Sequence, residues 1–437
     1  MNNVEFLRQV TTNISDSVWP IFLPFFVVIS LYISFCTFSK FNIKSKKDTR
    51  VSFKDIVGPA SLSLGAKVGT GSLIGVLGSL NKLSVKGQGV VEGMVLWGII
   101  GALILIPLTY SETFIARLKN ISPVGYIKST MSSQMQYCYG VSLVVLYVFG
   151  FGGFQFNGID AVITISTGHL ANYNMNELQR YIFIVIPLII MVGLLVISKS
   201  QNLFIDTITS LIGFAIFAYL GLFVFFVINT LTYVPLYLDR VIDGFFQPVS
   251  MGIGVPAGMV FSLQRVIQTS EAGLGTSALA SEEGKALGPH ESSVAQAIPT
   301  AITVLLSLVV TSYITSYGIS NKMMFLPSEG MERLYGFFRT VEHITGYVGL
   351  IVMTIFALLS GATTLLGSYF FFSHLFGGLN TNLLIVLYLI MISLAGTLAV
   401  FGFDLIFDVV DILLFLVSGI NVLALVIYIH NLGGNDL

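Results

Sequence analysis

Runs of about twenty apolar residues recur along the chain, separated by short polar, glycine- or proline-containing stretches, and this spacing predicts membrane-spanning helices. Spans are expected at 18–38, 56–80, 89–116, 138–168, 180–198, 205–230, 248–268, 294–318, 344–373, 381–401 and 408–430. The runs lack the ten-residue alternation of barrel strands. With no water in the hydrocarbon to satisfy backbone groups, helices are the remaining way across. The expected fold is an all-α polytopic membrane protein with about eleven transmembrane helices.

Two of these spans are interrupted by helix-breaking residues, KVGTGSLIGV at 67–76 and SMGIGVPAGM at 250–259. If 56–80 is the first helix of a set of five, 248–268 is the sixth. Paired interruptions in corresponding positions of two halves point to the binding site of a secondary transporter, and an odd number of spans inverts the second half. The chain then reads as one transmembrane domain, 1–437, with repeats at 56–230 and 248–430 and an extra N-terminal helix at 18–38. That first run follows a single positive charge, Arg8, and has no small-residue exit, so it is expected to be a retained helix rather than a cleaved signal.

Composition sharpens the picture. Charged residues make up 10% of 437 positions and hydrophobic ones 55%, against about 25% charge in an ordinary soluble domain. With a mean hydropathy of +0.88, the chain is excluded from the soluble globular class. A net charge of −1 offers no field for nucleic acid, so the expected partners are the lipid bilayer and a small solute. The 39–54 loop carries Lys40, Lys44, Lys46, Lys47, Arg50 and Lys54, which the positive-inside rule assigns to the cytoplasm. In a cell membrane this puts the N-terminus outside and the C-terminus inside. Alternating sides adds Arg117, Lys119, Lys128, Lys199, Arg265 and Lys285 to the cytoplasmic face, twelve basic residues against eight on the other, Lys82 among the eight. Two cysteines and five scattered histidines form no metal-ligand spacing, and no nucleophile–base set is present, so no enzyme is expected.

The chemistry is expected at the interruptions. Broken helix ends expose N–H groups on one side and carbonyls on the other, suited to a carboxylate and a cation. Gly69, Thr70 and Gly71 are the leading substrate contacts, with Gly252 and Gly254 their counterparts in the second interruption. A plainer reading makes Gly65, Gly69, Gly71 and Gly75 a small-residue stripe for close helix approach. Gln155 and Asn157 are costly polar residues in an apolar span, explained by a solute or by interhelical hydrogen bonds. Lys67 in the first interruption requires a negative partner: Glu112, Asp160 or a bound carboxylate. Glu271, Glu282, Glu283 and Lys285 read as a solvated loop, and Asp404, Asp408 and Asp411 as a solvent-facing helix start.

The string GAKVGTGSLIGV at 65–76 resembles the first-helix signature of the alanine or glycine:cation symporter family, typically V-G-T-G-N-I-A-G-V. LTYSETFIARL at 108–118, FGFGGFQFNGIDA at 149–161, TSEAGLGTSALA at 269–280 and SGATTLLGSYF at 360–370 resemble its other local patterns in the same order, E-A-G-x-G-[ST] being the most specific. The resemblance covers roughly 55–375 and implies the leucine-transporter fold, a five-plus-five inverted repeat. It further implies a sodium ion between backbone carbonyls at Gly65 and Val68 and the residues Ser360, Thr363 and Thr364, although threonines in apolar spans also bond back to their own helix. The E-A-G-x-G turn could then belong to an inner gate. Three positions depart from the pattern. Ser72 and Ser270 replace asparagines, which puts a second sodium in doubt, and Ser368 replaces a tryptophan, which would enlarge the pocket. The expected function is sodium-coupled uptake of a small neutral amino acid by alternating access, with sodium as coupling ion and no organic cofactor. Proton coupling through Lys67 or Asp160 is the nearest rival and a channel a further one; substrate side chain and oligomeric state stay open.

Overall fold

The computed structural model describes residues 3–432 apart from 42, 44–52, 199, 252–253, 285–286, 329, 377 and 402; the side chains of Lys54, Asp404 and Asp408 also lie outside the described set. Most of the basic 39–54 loop therefore falls outside it, as do Lys199, Lys285 and Gly252.

The chain is helical almost throughout. α1 (Asn3–Lys40) is followed by α2 (Phe53–Lys67) and α3 (Thr70–Val85), then by α4 (Met94–Lys119) and the short α5 (Pro123–Thr130). α6 (Ser133–Val145) continues through a π turn into α7 (Gly152–Ala171), and α8 (Glu177–Arg180) likewise into α9 (Ile186–Ile197). Next come α10 (Gln201–Asn229), α11 (Val234–Phe246), a two-residue hairpin of β1 (Ser250–Met251) and β2 (Val255–Pro256), α12 (Ala257–Ser270) and α13 (Thr276–Ser281). α14 (Pro289–Leu305) passes a π turn into α15 (Thr311–Ser320), and α16 (Gly330–Leu375), α17 (Thr381–Phe401) and α18 (Phe403–Asn431) complete the bundle.

Local chemistry sets many of the ends. Ser122, Ser132 and Ser200 accept from the third residue onward at the starts of α5, α6 and α10, and Asn176 with Gln179 forms a reciprocal box at α8. Asn120 and Asn172 close α4 and α7 in the left-handed conformation that asparagine tolerates. Gly346, at φ +65°, splits α16, so that only the part beyond it corresponds to the expected span at 344–373.

Among the described residues, nine helices are long and apolar enough to cross a membrane, or ten counting α2 with α3, which meet at 44°. The expected eleventh is α12 with α13. It is short and carries Gln264, Arg265 and Gln268, all buried, so it is recognisable as a span by its place in the bundle and not by hydropathy.

The second interruption is displaced from where the sequence suggests. Ser250 and Met251 pair with Pro256 and Val255 in the hairpin that precedes α12, and Gly254 lies beside that pairing at φ +89°, where an added Cβ would meet nothing within 4 Å. The break lies instead at 271–275, where Glu271 (φ +55°), Gly273 (+78°) and Gly275 (+87°) are all left-handed. Gly254 is therefore not a counterpart of Gly69.

Candidate functional site

Helix α2 stops at Lys67 because Gly69 is fully extended (φ −165°, ψ −177°), and Thr70 starts α3 in a new direction. The new helix has N–H groups with no partner in the preceding turn. One is met by α7: Gln155 Oε1 accepts from Thr70 N and from Thr70 Oγ1, both at 2.9 Å, while Thr70 Oγ1 also lies 3.1 Å from the Phe154 carbonyl. Such an approach requires glycine on both sides. A Cβ on Gly158 would lie 2.2 Å from Thr70 Cβ, and one on Gly69 would lie 2.5 Å from Gln155 Oε1.

On the other side of the break, α16 supplies oxygens. Thr364 Oγ1 is 3.1 Å from the Gly65 carbonyl, 3.5 Å from that of Val68 and 3.0 Å from that of Ser360, and the buried Ser360 hydroxyl has no partner. Thr363 faces Gly65 with its Cβ, but its hydroxyl bonds back to Ser360 O at 2.9 Å. Neutral oxygens of this kind are the ligands a hard cation takes. A Cβ on Gly367 would lie 2.8 Å from that of Ala66, so α2 and α16 are nearly in backbone contact here.

The second break is fixed from outside. Asn421 Nδ2 of α18 donates to the Gly273 carbonyl at 2.9 Å and to Glu112 Oε1 at 2.7 Å, and Tyr139 Oη donates to the Leu274 carbonyl at 2.6 Å. Glu271, read from sequence as part of a solvated loop, is 1% exposed: it caps α12, accepts from Thr276 at 2.9 Å through Oε2, and leaves Oε1 without a partner. The reading failed because its neighbours Glu282 and Glu283 do lie past α13, whereas the left-handed turn folds Glu271 inward.

The two breaks face a narrow cavity lined by Ala66, Lys67, Gly71, Ser72, Phe151, Gln155, Gln268, Thr269, Glu271 and Thr364. Only about 10 Å³ of it admits the centre of a water-sized molecule, roughly one water. A larger cavity, about 260 Å³ by the same measure, lies between α9, α10, α16 and α17 and touches neither break. We place the chemistry at the smaller one, because its polar groups converge there.

The remaining candidates separate. Lys67, 5% exposed, donates through Nζ to Ser277 Oγ at 2.9 Å and Thr300 Oγ1 at 3.2 Å, with the carboxylates of Glu271 and Glu112 acting on it electrostatically. Asp160 is not its partner: it pairs with Arg180 at 2.8 Å, tying α7 to α8. Asn157 is buried with Nδ2 unpaired and does not line the cavity, since the helix is regular from Gly152 on and residues two apart point to opposite sides. Ser368 opens no extra space. Its hydroxyl is 2.8 Å from Tyr388 Oη of α17, and both residues are fully buried, so an aromatic ring from the next helix fills the volume.

Sequence reasoning also missed an ion cluster at the α12 level. Asp411 is fully buried and pairs with Arg265 and, at 3.0 Å, with Lys82, so it is no solvent-facing helix start. Arg265 and Lys82 thus meet at one level of the bundle and do not lie on opposite faces as alternation of sides would have it. Arg265 also donates to Gln268 at 2.5 Å, whose amide reaches the Gly71 carbonyl at 3.5 Å.

The model of the Sodium:alanine symporter family matches residues 4–432. The probable sodium/glutamine symporter GlnT of Bacillus subtilis (strain 168) is 23% identical over 383 residues, covering 83% of this chain and 74% of that protein. Among solved structures, a Na+-coupled sialic acid symporter in a substrate-bound outward-open state is similar at a TM-score of 0.53 and 13% identity, over 91% of this chain and 81% of the other. A manganese transporter of Eremococcus coleocola also gives 0.53 and 13%, over 88% and 80%. These structures share the fold, an all-α polytopic membrane architecture. The relatives are transporters and not enzymes, and sodium-coupled amino-acid symport is the class of activity they support. With nearly its whole length matched, the chain belongs to the sodium:alanine symporter family.

Proposed function

We propose that the protein couples inward sodium flow to uptake of a small neutral amino acid by alternating access, with α2–α10 and α12–α18 as the two halves of a five-plus-five inverted repeat and α1 added outside it. In this reading the 39–54 end of the bundle faces the cytoplasm, as does the end of α18. The observation that carries it is Thr364, which touches the Gly65 and Val68 carbonyls and also lines the cavity between the breaks.

Sodium would sit among the carbonyls of Gly65 and Val68 and the hydroxyls of Ser360 and Thr364, with Thr363 packing beside it. The ion would draw α2 against α16 and hold the break at Gly69 open to the N–H groups of Thr70 and Gly71. Those groups would take the carboxylate of the amino acid, so each solute stabilises the arrangement the other needs. Lys67 would contribute a fixed positive charge bridging α2 to α13 and α14, where a second ion would otherwise be needed. Alanine and glycine are the substrates the narrow cavity favours; glutamine, carried by the Bacillus relative according to its name, is the first alternative to test.

The test is uptake of labelled alanine, glycine and glutamine into proteoliposomes under an imposed sodium gradient. Accumulation that requires sodium supports the reading. Accumulation driven by a pH step without sodium would replace it with proton coupling through Lys67, and flux that never exceeds equilibrium would point to a channel.

A further inference from the structure

The anion-binding end of the broken helix already holds a ligand, and it belongs to the protein. We propose that the Gln155 carboxamide is a resident stand-in for the substrate's carboxylate, displaced when the amino acid loads; the inference rests on the amino-acid reading above. Gln155 Oε1 takes both the Thr70 N–H and the Thr70 hydroxyl at 2.9 Å, the donors a carboxylate would need at the start of α3. It lies flat on backbone that only glycine could present: a Cβ on Gly69 would fall 2.5 Å from Oε1, and one on Gly71 3.0 Å from Nε2.

Volume supports the displacement. With space for the centre of a water-sized molecule limited to about 10 Å³, the cavity in this closed arrangement holds about one water, and a small amino acid enters only as protein groups move. Two side-chain amides line it, Gln155 and Gln268. Gln268 is anchored by Arg265, itself paired with Asp411, whereas the bonds of Gln155 go to Thr70 alone among the described residues. Gln155 is the group free to swing away.

A second observation marks the cavity as a ligand site. Glu271 is 1% exposed, lines the same space, and its Oε1 has no hydrogen-bond partner, with the Tyr147 hydroxyl beside it. An amino acid would bring a cation to that oxygen and an anion to Thr70, the two ends of one zwitterion. The exchange is also favourable in kind: a charge-assisted N–H to carboxylate bond is about twice as strong as the neutral bond to an amide. Gln155 thereby keeps a buried N–H satisfied between transport cycles, at the expense of substrate affinity.

The test is equilibrium binding of labelled L-alanine and L-glutamine to the purified full-length protein at saturating sodium, for wild type and Gln155→Met. Methionine keeps the length but cannot bond to Thr70, so the unpaired donor favours the ligand. Whichever probe the wild type binds should bind at least threefold more tightly to Q155M. Gln155→Ala repeats the measurement if Q155M does not purify as a monodisperse species, with the same expectation. Weaker binding would make Gln155 a direct substrate ligand, and unchanged affinity would remove the competition; either overturns the proposal while leaving amino-acid transport standing. Absence of binding and of uptake of both probes by the wild type would overturn the amino-acid reading and this inference with it.

Discussion

The Thr364 hydroxyl of α16 lies 3.1 Å from the Gly65 carbonyl of α2, joining two helices that are 299 residues apart in sequence through oxygens alone. Beside it Thr363 turns its hydroxyl back to Ser360 of its own helix. The two neighbours should therefore behave differently when the hydroxyl is replaced.

Thr364→Val is expected to raise the sodium concentration for half-maximal uptake by about tenfold or more, the equivalent of roughly 1.4 kcal/mol for one lost ligand. Thr363→Val should change it by less than about twofold. Sodium titrations of uptake in proteoliposomes check the pair, and equal effects would mean that the cation is not held where Thr364 meets Gly65.

Asp411 is fully buried between Arg265 and Lys82. Removing one member of a buried ion pair costs about 3–5 kcal/mol because the other charge is left without compensation. Asp411→Asn should lower the melting temperature in detergent markedly, and Arg265→Met should do the same. The double variant should lose less than the sum, since Lys82 is partly exposed and its ammonium can reach water. Additive losses would show that the two side chains are not energetically coupled.

Gly158 faces Thr70 so closely that a methyl group would overlap its side chain. Gly158→Ala should push α7 off the break and reduce uptake at least tenfold, with a stability loss of about 1–3 kcal/mol. Gly213→Ala, on the long α10 where nothing lies within 4 Å, should leave uptake and melting unchanged. Parallel uptake and melting curves for the two variants decide it.

Asp160 and Lys67 are both buried charges, yet only Lys67 lines the cavity. Lys67→Met should abolish sodium-driven accumulation even where the protein folds. Asp160→Asn, which frees Arg180 at the α7–α8 junction, should lower stability and leave the half-saturating sodium and substrate concentrations within about twofold. A Lys67→Met variant with normal accumulation would show that its fixed charge is dispensable.

The first break was legible because Lys67, Gly69 and Gly71 are each anomalous in an apolar run, and the anomaly is local. At the second, the eye goes to SMGIGVPAGM, whose glycines and proline make a stronger local breaker, but that segment forms the hairpin before α12. The actual break, at 271–275, is held by Asn421 and Tyr139, 148 and 135 residues away. Distance also explains Asp411, whose partners Arg265 and Lys82 lie 146 and 329 residues upstream; judged by its neighbours alone, an aspartate near a helix start looks solvated. The Ser368 exception has the same origin, since the ring that fills its space comes from another helix. What family resemblance supplied, the alignment of Gly65 and Val68 with Ser360 and Thr364, is the part that no local pattern could have joined.

Helix α1 packs along α18, with Trp19 donating to the Asp411 carbonyl at 3.2 Å and Asp16 meeting Lys86 at 2.8 Å. Two helices that synthesis makes far apart in time are thus fastened together. During synthesis the Trp19 indole N–H must wait for its acceptor until α18 has been made, whereas Asp16 can meet Lys86 once α3 has followed α1. A chain stalled before α18 would therefore hold Arg265 and Lys82 in the bundle without the carboxylate they share.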